Sequence, residues 1–220
     1  MTLLALDTAL ARCSAAVLKD DGALRAVSAE LGRGHAEHLA GMVREAMEQA
    51  ETDFSDLDRI VVTVGPGSFT GLRVALSVAR GFAVVAPVDL VGVTTLAAIA
   101  EGAREMAEGH PIAVALPARG GEVYAQVFDE DGAPLGEPAA LEAADFAKEL
   151  APDTRLAGAA AETIVGFRPD LRIIDRSAAP DIACVARLGL SAPVPDAPPA
   201  PLYLKPPDAK PQTRFRIARA

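Results

Sequence analysis

The chain has 220 residues, a net charge of −9, an apolar fraction of 50% and an aromatic fraction of only 4%, with no Trp. That size suits one large domain or two small lobes whose cores are built from Ala, Val, Leu and Ile at close backbone distances. The acidic balance opposes the phosphate backbone of a nucleic acid, so contact with RNA is expected to be indirect. Cys13 and Cys184 lie far apart with no CxxC, which argues against a disulfide framework and a zinc site and for a cytoplasmic home. The opening MTLLALDTALARC has no basic residue before its short apolar run, so neither a signal peptide nor a membrane span is expected.

Residues 2–7, 13–19 and 23–30 read as three short strands, the last two joined by a turn around Asp21-Gly22. From Ala36 to Ala50 the apolar positions Leu39, Met42, Val43, Ala46, Met47 and Ala50 recur at three- and four-residue steps, which predicts a helix. Arg59 to Val64 is a β-branched strand, followed by the turn Gly65 to Gly71 and a second helix to about Ala86. A strand near 88–93 leads to a third helix with Thr94 or Thr95 as its cap and Gly109 just beyond its end. The pattern partly repeats downstream, with strands at 112–116 and 122–129, a helix near 141–150, short strands near Leu156 and Ile173, and a helix near 181–190. After Ser191 the proline-rich stretch is expected to run extended over the surface. The expected division is a first lobe over 1–108, a smaller second lobe over 109–192 and an extended basic tail over 193–220. Within residues 205–220 Lys205, Lys210, Arg214, Arg216 and Arg219 face Asp208 alone, a net of +4 that leaves −13 elsewhere.

Three strands, helix, strand, helix, strand is the order of a ribonuclease-H-like lobe. The expected fold class is therefore α/β, with two such lobes of the actin, sugar kinase and heat-shock ATPase superfamily, the second degenerate. The turn GPGSFTGLR (65–73) invites a phosphate reading, because helix N-termini bind anions. Its spacing fails both the P-loop, which needs four residues between its glycines and then Lys-Ser/Thr, and the dinucleotide fingerprint. Asp7 and Thr8, Gly65, Gly67, Ser68, Thr70, Gly71 and Arg73 are thus expected to form vestigial phosphate-type loops, in which Ser68 or Thr70 caps the second helix. His35 and His38 stand three apart, but HEXXH is absent and only His110 remains as a third histidine, so no metal is expected. No catalytic set emerges from the spacing of Ser, His and Asp.

The second helix is apolar on most sides, interrupted only by Arg73, Ser77 and Arg80. A lobe this small covers one face of such a helix, so the other face calls for a partner. Together with the first helix it would give a four-helix bundle across a dimer, with His35, Leu39, Met42, Val43, Met47, Leu72, Leu76, Ala79 and Phe82 as the expected interface.

Six blocks then carry a resemblance: Leu6-Asp7-Thr8-Ala9 with Cys13-Ser14, His35, GPGSFTGLR, Gly92-Val93-Thr94-Thr95-Leu96, Ala118-Arg119 with Gly121-Glu122-Val123-Tyr124, and Pro201-Leu202-Tyr203-Leu204-Lys205. In this order they resemble the TsaB (YeaZ) family. The resemblance implies a subunit without catalysis of its own, needed for threonylcarbamoyl transfer to adenosine 37 of tRNA. It implies pairing through the first-lobe helices with the catalytic paralogue TsaD, with the ATPase TsaE joining the complex, and a homodimer when the partner is absent. No cofactor is required by such a chain, although a nucleotide at the complex interface is conceivable. An active ATPase or kinase-like enzyme of the same fold is the alternative, and a metallopeptidase a weaker one. One departure stands out: the family usually has Asp-Ala-Arg before GEVY, and here Pro117 replaces the Asp.

Overall fold

The computed structural model describes residues 1–205. The cationic residues Lys210, Arg214, Arg216 and Arg219 of the expected basic tail lie outside the described residues. The chain forms two mixed five-stranded sheets. The first comprises β1 (Leu3–Asp7), β2 (Arg12–Leu18), β3 (Leu24–Glu30), β4 (Arg59–Gly65) and β5 (Asp89–Thr94), with helices α1 (His35–Gln49) and α2 (Phe69–Val85) between them and α3 (Thr95–Ala107) after β5. The second comprises β6 (Ile112–Pro117), β7 (Glu122–Phe128), β8 (Ala139–Glu142), β9 (Arg155–Ala157) and β10 (Arg172–Ile173), with α4 (Ala143–Glu149), α5 (Ala161–Phe167) and α6 (Ile182–Ser191).

The strand orders are β3-β2-β1-β4-β5 and β10-β9-β6-β7-β8. Read from the other edge, the second order is the first one repeated. In both sheets the leading three strands pair antiparallel and the last two join parallel. The second copy is reduced: β10 has two residues, and α4 and α5 have seven each against 15 in α1 and 17 in α2. Strand β8 and helix α5 are absent from the sequence reading. Strand β8 takes Leu141, which the helical expectation over 141–150 had absorbed, because Val123 pairs with it in the sheet.

Helices α1 and α2 cover one face of the first sheet, with Leu39, Val43 and Leu76 packed on Leu4, Leu6, Ile60 and Val62. The third helix of each copy crosses over. Helix α3 lays Leu96, Ile99 and Ala103 on Ile112, Val114 and Leu116 of the second sheet, while α6 lays Ile182, Val185 and Ala186 on Leu3, Ala5 and Val61 of the first. Each lobe thus completes its core with a helix contributed by the other. The crossing is fixed at its end by Arg59, a buried guanidinium whose Nη1 donates to the carbonyls of Gly189 at 2.8 Å and Ala192 at 2.8 Å, where α6 leaves carbonyls without intrahelical partners. Its Nη2 pairs with Asp89 at 3.4 Å. Among the described residues no helix is long and apolar enough to cross a membrane.

The approach of α6 to the sheet depends on Gly189, where an added Cβ would meet Val61 side-chain carbons at 2.2 Å. Gly189→Ala is expected to lower the unfolding free energy by about 1–3 kcal/mol, the usual cost of overpacking a closed core. Chemical denaturation of the two proteins checks it, and an unchanged midpoint would refute the packing account.

Candidate functional site

The phosphate-type loops come together at the carboxyl ends of β1 and β4. Strand β4 ends at Gly65 with φ of 115°, and Ser68 caps α2, its hydroxyl accepting from the Gly71 N–H at 3.3 Å. The space in front of this turn holds the chain's own backbone. A Cβ on Gly71 would lie 2.0 Å from the Thr8 carbonyl oxygen, and one on Gly67 would lie 2.3 Å from that of Ala9. The Ser68 N–H donates to the Ala9 carbonyl at 2.7 Å. The Thr8 hydroxyl donates to the Gly71 carbonyl at 2.6 Å and accepts from Ala75 N–H at 3.2 Å. The turn after β1 therefore lies against the start of α2 with no gap for a phosphoryl group between them. Thr70 and Arg73 point outward.

Asp7 is fully buried. Its Oδ1 accepts from the Thr63 hydroxyl at 2.5 Å and from the Ala9 N–H at 3.0 Å, while Oδ2 has no hydrogen-bond partner among the described residues. Burial raises the pKa of this carboxyl above its ordinary 3.8, against the lowering effects of the Thr63 and Ala9 hydrogen bonds and of His35 and Arg12 nearby. Among the described residues no group of three His, Cys, Asp or Glu is placed to hold a metal ion. His35 begins α1 as a buried side chain and His38 is exposed.

The expected interface residues need a correction. Leu39, Val43, Leu72, Leu76 and Ala79 are turned into the core of their own lobe and present almost no surface to a partner, and Met47 shows only an edge. The reason lies in the helix period: α2 buries Leu72, Ala75, Leu76 and Ala79 on the sheet and α1, so the face that remains is one rotated away from them. Val74, Val78 and Phe82 are partly accessible, and Val85 beside them is 81% exposed. These four fall at steps of four, four and three along α2, and Met42 of α1 is partly accessible as well. Toward the end of this row Phe82 packs at a tilt against Phe54 with centroids 4.7 Å apart, beside a cavity of about 540 Å³ lined by Met47, Phe54, Arg44, Glu48, Glu51 and Asp53.

This arrangement can be set beside known proteins. The family model described as TsaD: tRNA N6-adenosine threonylcarbamoyltransferase matches residues 27–168. The TsaB protein of Escherichia coli K12, described as a tRNA threonylcarbamoyladenosine biosynthesis protein, is 36% identical over 139 residues, 62% of this chain and 60% of that one. The matched region thus spans somewhat more than half of that curated relative. The solved structure of YeaZ from Pseudomonas aeruginosa superimposes with a TM-score of 0.69 at 30% identity, covering 86% of this chain and 90% of that one. A second Pseudomonas aeruginosa structure, described as an uncharacterized protein with similarity to peptidase YEAZ, gives a TM-score of 0.77 at 29% identity, with 93% and 99% covered. The chain belongs to the TsaB (YeaZ) family.

In this TsaB-family chain the block Pro201 to Lys205, expected to run extended over the surface, has a definite seat on the first lobe. It forms a strap along the outward polar stripe of α2. Arg80 Nη2 donates to the Pro199 carbonyl at 2.6 Å, Leu202 N–H donates to the Val64 carbonyl at 2.7 Å, and Arg73 Nε donates to the Tyr203 hydroxyl at 2.9 Å. Lys205 then reaches the second lobe, donating to the Arg119 carbonyl at 3.1 Å and pairing with Glu122. The Arg73-Ser77-Arg80 stripe was the available signal, since two guanidinium groups on a helix ask for acceptors. Pro117 ends β6 just ahead of Arg119, so the position where the family usually has Asp borders the strap's landing point.

The raised pKa of Asp7 has a definite pH consequence. Its folded state holds the proton more tightly than the unfolded chain, so folding gains from this group below 3.8 and loses that contribution as pH rises through the folded value. Asp7→Asn, which carries no ionisable group, is expected to gain stability relative to the native protein as pH is raised from about 4 to about 8. Thermal melts of both proteins across that range check it; parallel curves would contradict the buried-carboxyl account.

Proposed function

We propose that this chain is a scaffold subunit in the formation of threonylcarbamoyladenosine at adenosine 37 of tRNA, acting by docking onto a TsaD-type catalytic paralogue. The observation that carries the reading is the row Val74, Val78, Phe82 and Val85 with Met42 beside it: apolar side chains that the lobe's own sheet leaves partly or largely uncovered. Helix pairs of this kind bury such rows against a second pair as a four-helix bundle. The name of the Escherichia coli relative and the transferase family model support the tRNA pathway and the type of paralogue.

The absence of chemistry in this subunit is part of the proposal. It draws support from the packing of Thr8 and Ala9 into the turn at Gly67 and Gly71 and from the sealing of Asp7. On this reading the chain needs no cofactor, a nucleotide at the complex interface belongs to the assembly, and TsaE joins through the complex. Without its partner the chain pairs with a second copy through the same helices. The setting is cytoplasmic, and tRNA is reached through the partner.

Val78→Glu places a charge at the centre of the accessible row, and is expected to weaken binding to the TsaD-type paralogue at least about thirtyfold, as loss of a central anchor does, with the melting temperature nearly unchanged. Leu76→Glu puts the same charge into the core and is expected to unfold the chain. Co-purification with the paralogue and a modification assay with and without this subunit read the outcome. Magnesium-dependent ATP turnover by the isolated chain, lost in Asp7→Asn, would instead favour an enzyme of the same fold.

A further inference from the structure

Beside the accessible row of α2 stands a guanidinium whose surroundings are built. The Arg73 guanidinium carbon lies 3.6 Å from the Phe69 ring centroid, Nε is held by the Tyr203 hydroxyl at 2.9 Å, and the Phe69 and Tyr203 rings sit 5.1 Å apart. The two terminal nitrogens have no partner among the described residues, and the side chain is exposed. Other cations along the strap are engaged: Lys205 with Glu122 and the Arg119 carbonyl, and Arg80 with the Pro199 carbonyl. A planar guanidinium held on one face by Phe69 and at Nε by Tyr203, with its outer edge open, has already lost much of its rotamer freedom and is shaped for bidentate binding of an oxyanion.

We infer that the open edge of Arg73 receives a side-chain carboxylate of the docking partner and fixes its register along α2, with Phe69 and Tyr203 as positioning residues. This rests on the docking reading above. Charge decides between a carboxylate and a nucleic-acid phosphate. Arg73 adjoins Val74 at the amino end of the row, whereas the other end, around Phe54 and Phe82, carries Glu48, Glu51 and Asp53 against Arg44 alone. A polyanion along this face would meet those carboxylates, and the body of the chain is strongly acidic. A protein surface that is acidic opposite Arg73 and basic opposite the far end satisfies both. A partner shifted or reversed along α2 would bring like charges together, so the polarity selects one orientation.

The test is calorimetric titration of the full-length chain with the purified TsaD-type paralogue at about 50 and about 500 mM salt, using native protein, Arg73→Gln, Arg73→Lys and Tyr203→Phe, each first checked by its melting temperature. Arg73→Gln is expected to weaken binding by about tenfold or more and to flatten its salt dependence, the scale of one charge-assisted bidentate contact. Arg73→Lys should recover little of the loss, because an ammonium lacks the paired donors. Tyr203→Phe, which keeps the ring and removes the acceptor for Nε, should weaken binding by a smaller factor of about three. Native-like affinity of Arg73→Gln at both salt concentrations overturns the inference and leaves the docking reading standing. So does a defect confined to RNA binding by the assembled complex, which assigns the edge to phosphate. Failure of the native chain to bind the paralogue overturns both.

Discussion

The turn after β1 touches the start of α2 backbone to backbone, and much of the rest follows from that contact. With Thr8 O facing Gly71 and Ala9 O facing Gly67, α2 is held at one distance and one rotation from the sheet. The rotation decides that Leu72, Leu76 and Ala79 face inward, that Val74, Val78 and Phe82 lie toward the outside, and that Arg73 and Arg80 turn to the strap. The contact also fills the space in which a helix amino terminus and a neighbouring loop would cradle a phosphate. One local constraint therefore sets the orientation of the outward apolar row and fills the space in front of the helix start. Neither glycine tolerates a Cβ, which explains why the turn is written with glycine at both places.

Most of the fold could be read from the sequence because its long elements obey simple periods. Helices α1 and α2 and the three opening strands follow from apolar spacing, and hydroxyl placement narrowed the caps to Ser68 or Thr70 and Thr94 or Thr95, of which the fold uses Ser68 and Thr94. What escaped were short pieces of the second lobe, β8 and α5, whose identity comes from pairing with β7 and burial of Ile164. Four and seven residues carry too little periodic signal to compete with neighbouring patterns. The crossing of α3 and α6 was likewise invisible, since the apolar face of a helix states that it is buried and says nothing of which sheet covers it.

The site was legible in type and misread in detail. The apolar character of α2 implied both a buried and an outward face, but assigning residues to each requires the helix phase relative to the sheet, set by contacts 63 residues apart between Thr8 and Gly71. The same limit hid Tyr203, which is 130 residues from Arg73 in sequence. The glycine-rich turn was expected to be a vestigial phosphate-type loop because its spacing fits neither the P-loop nor the dinucleotide fingerprint. What sequence could not supply is that the space is occupied by main chain.

The duplicated topology explains why the outward apolar row belongs to the first copy alone. Helices α4 and α5 occupy in the second sheet the places that α1 and α2 occupy in the first, between corresponding strands. With seven residues each they are about 10 Å long, two turns, whereas the 15 and 17 residues of α1 and α2 span about 22 and 25 Å. A row of four outward side chains at steps of four, four and three needs 12 residues of continuous helix, a length α2 has and α5 lacks. The longer pair alone has the length to carry the outward apolar row, while α3 and α6 pack on the opposite faces of the two sheets in the same way in both copies.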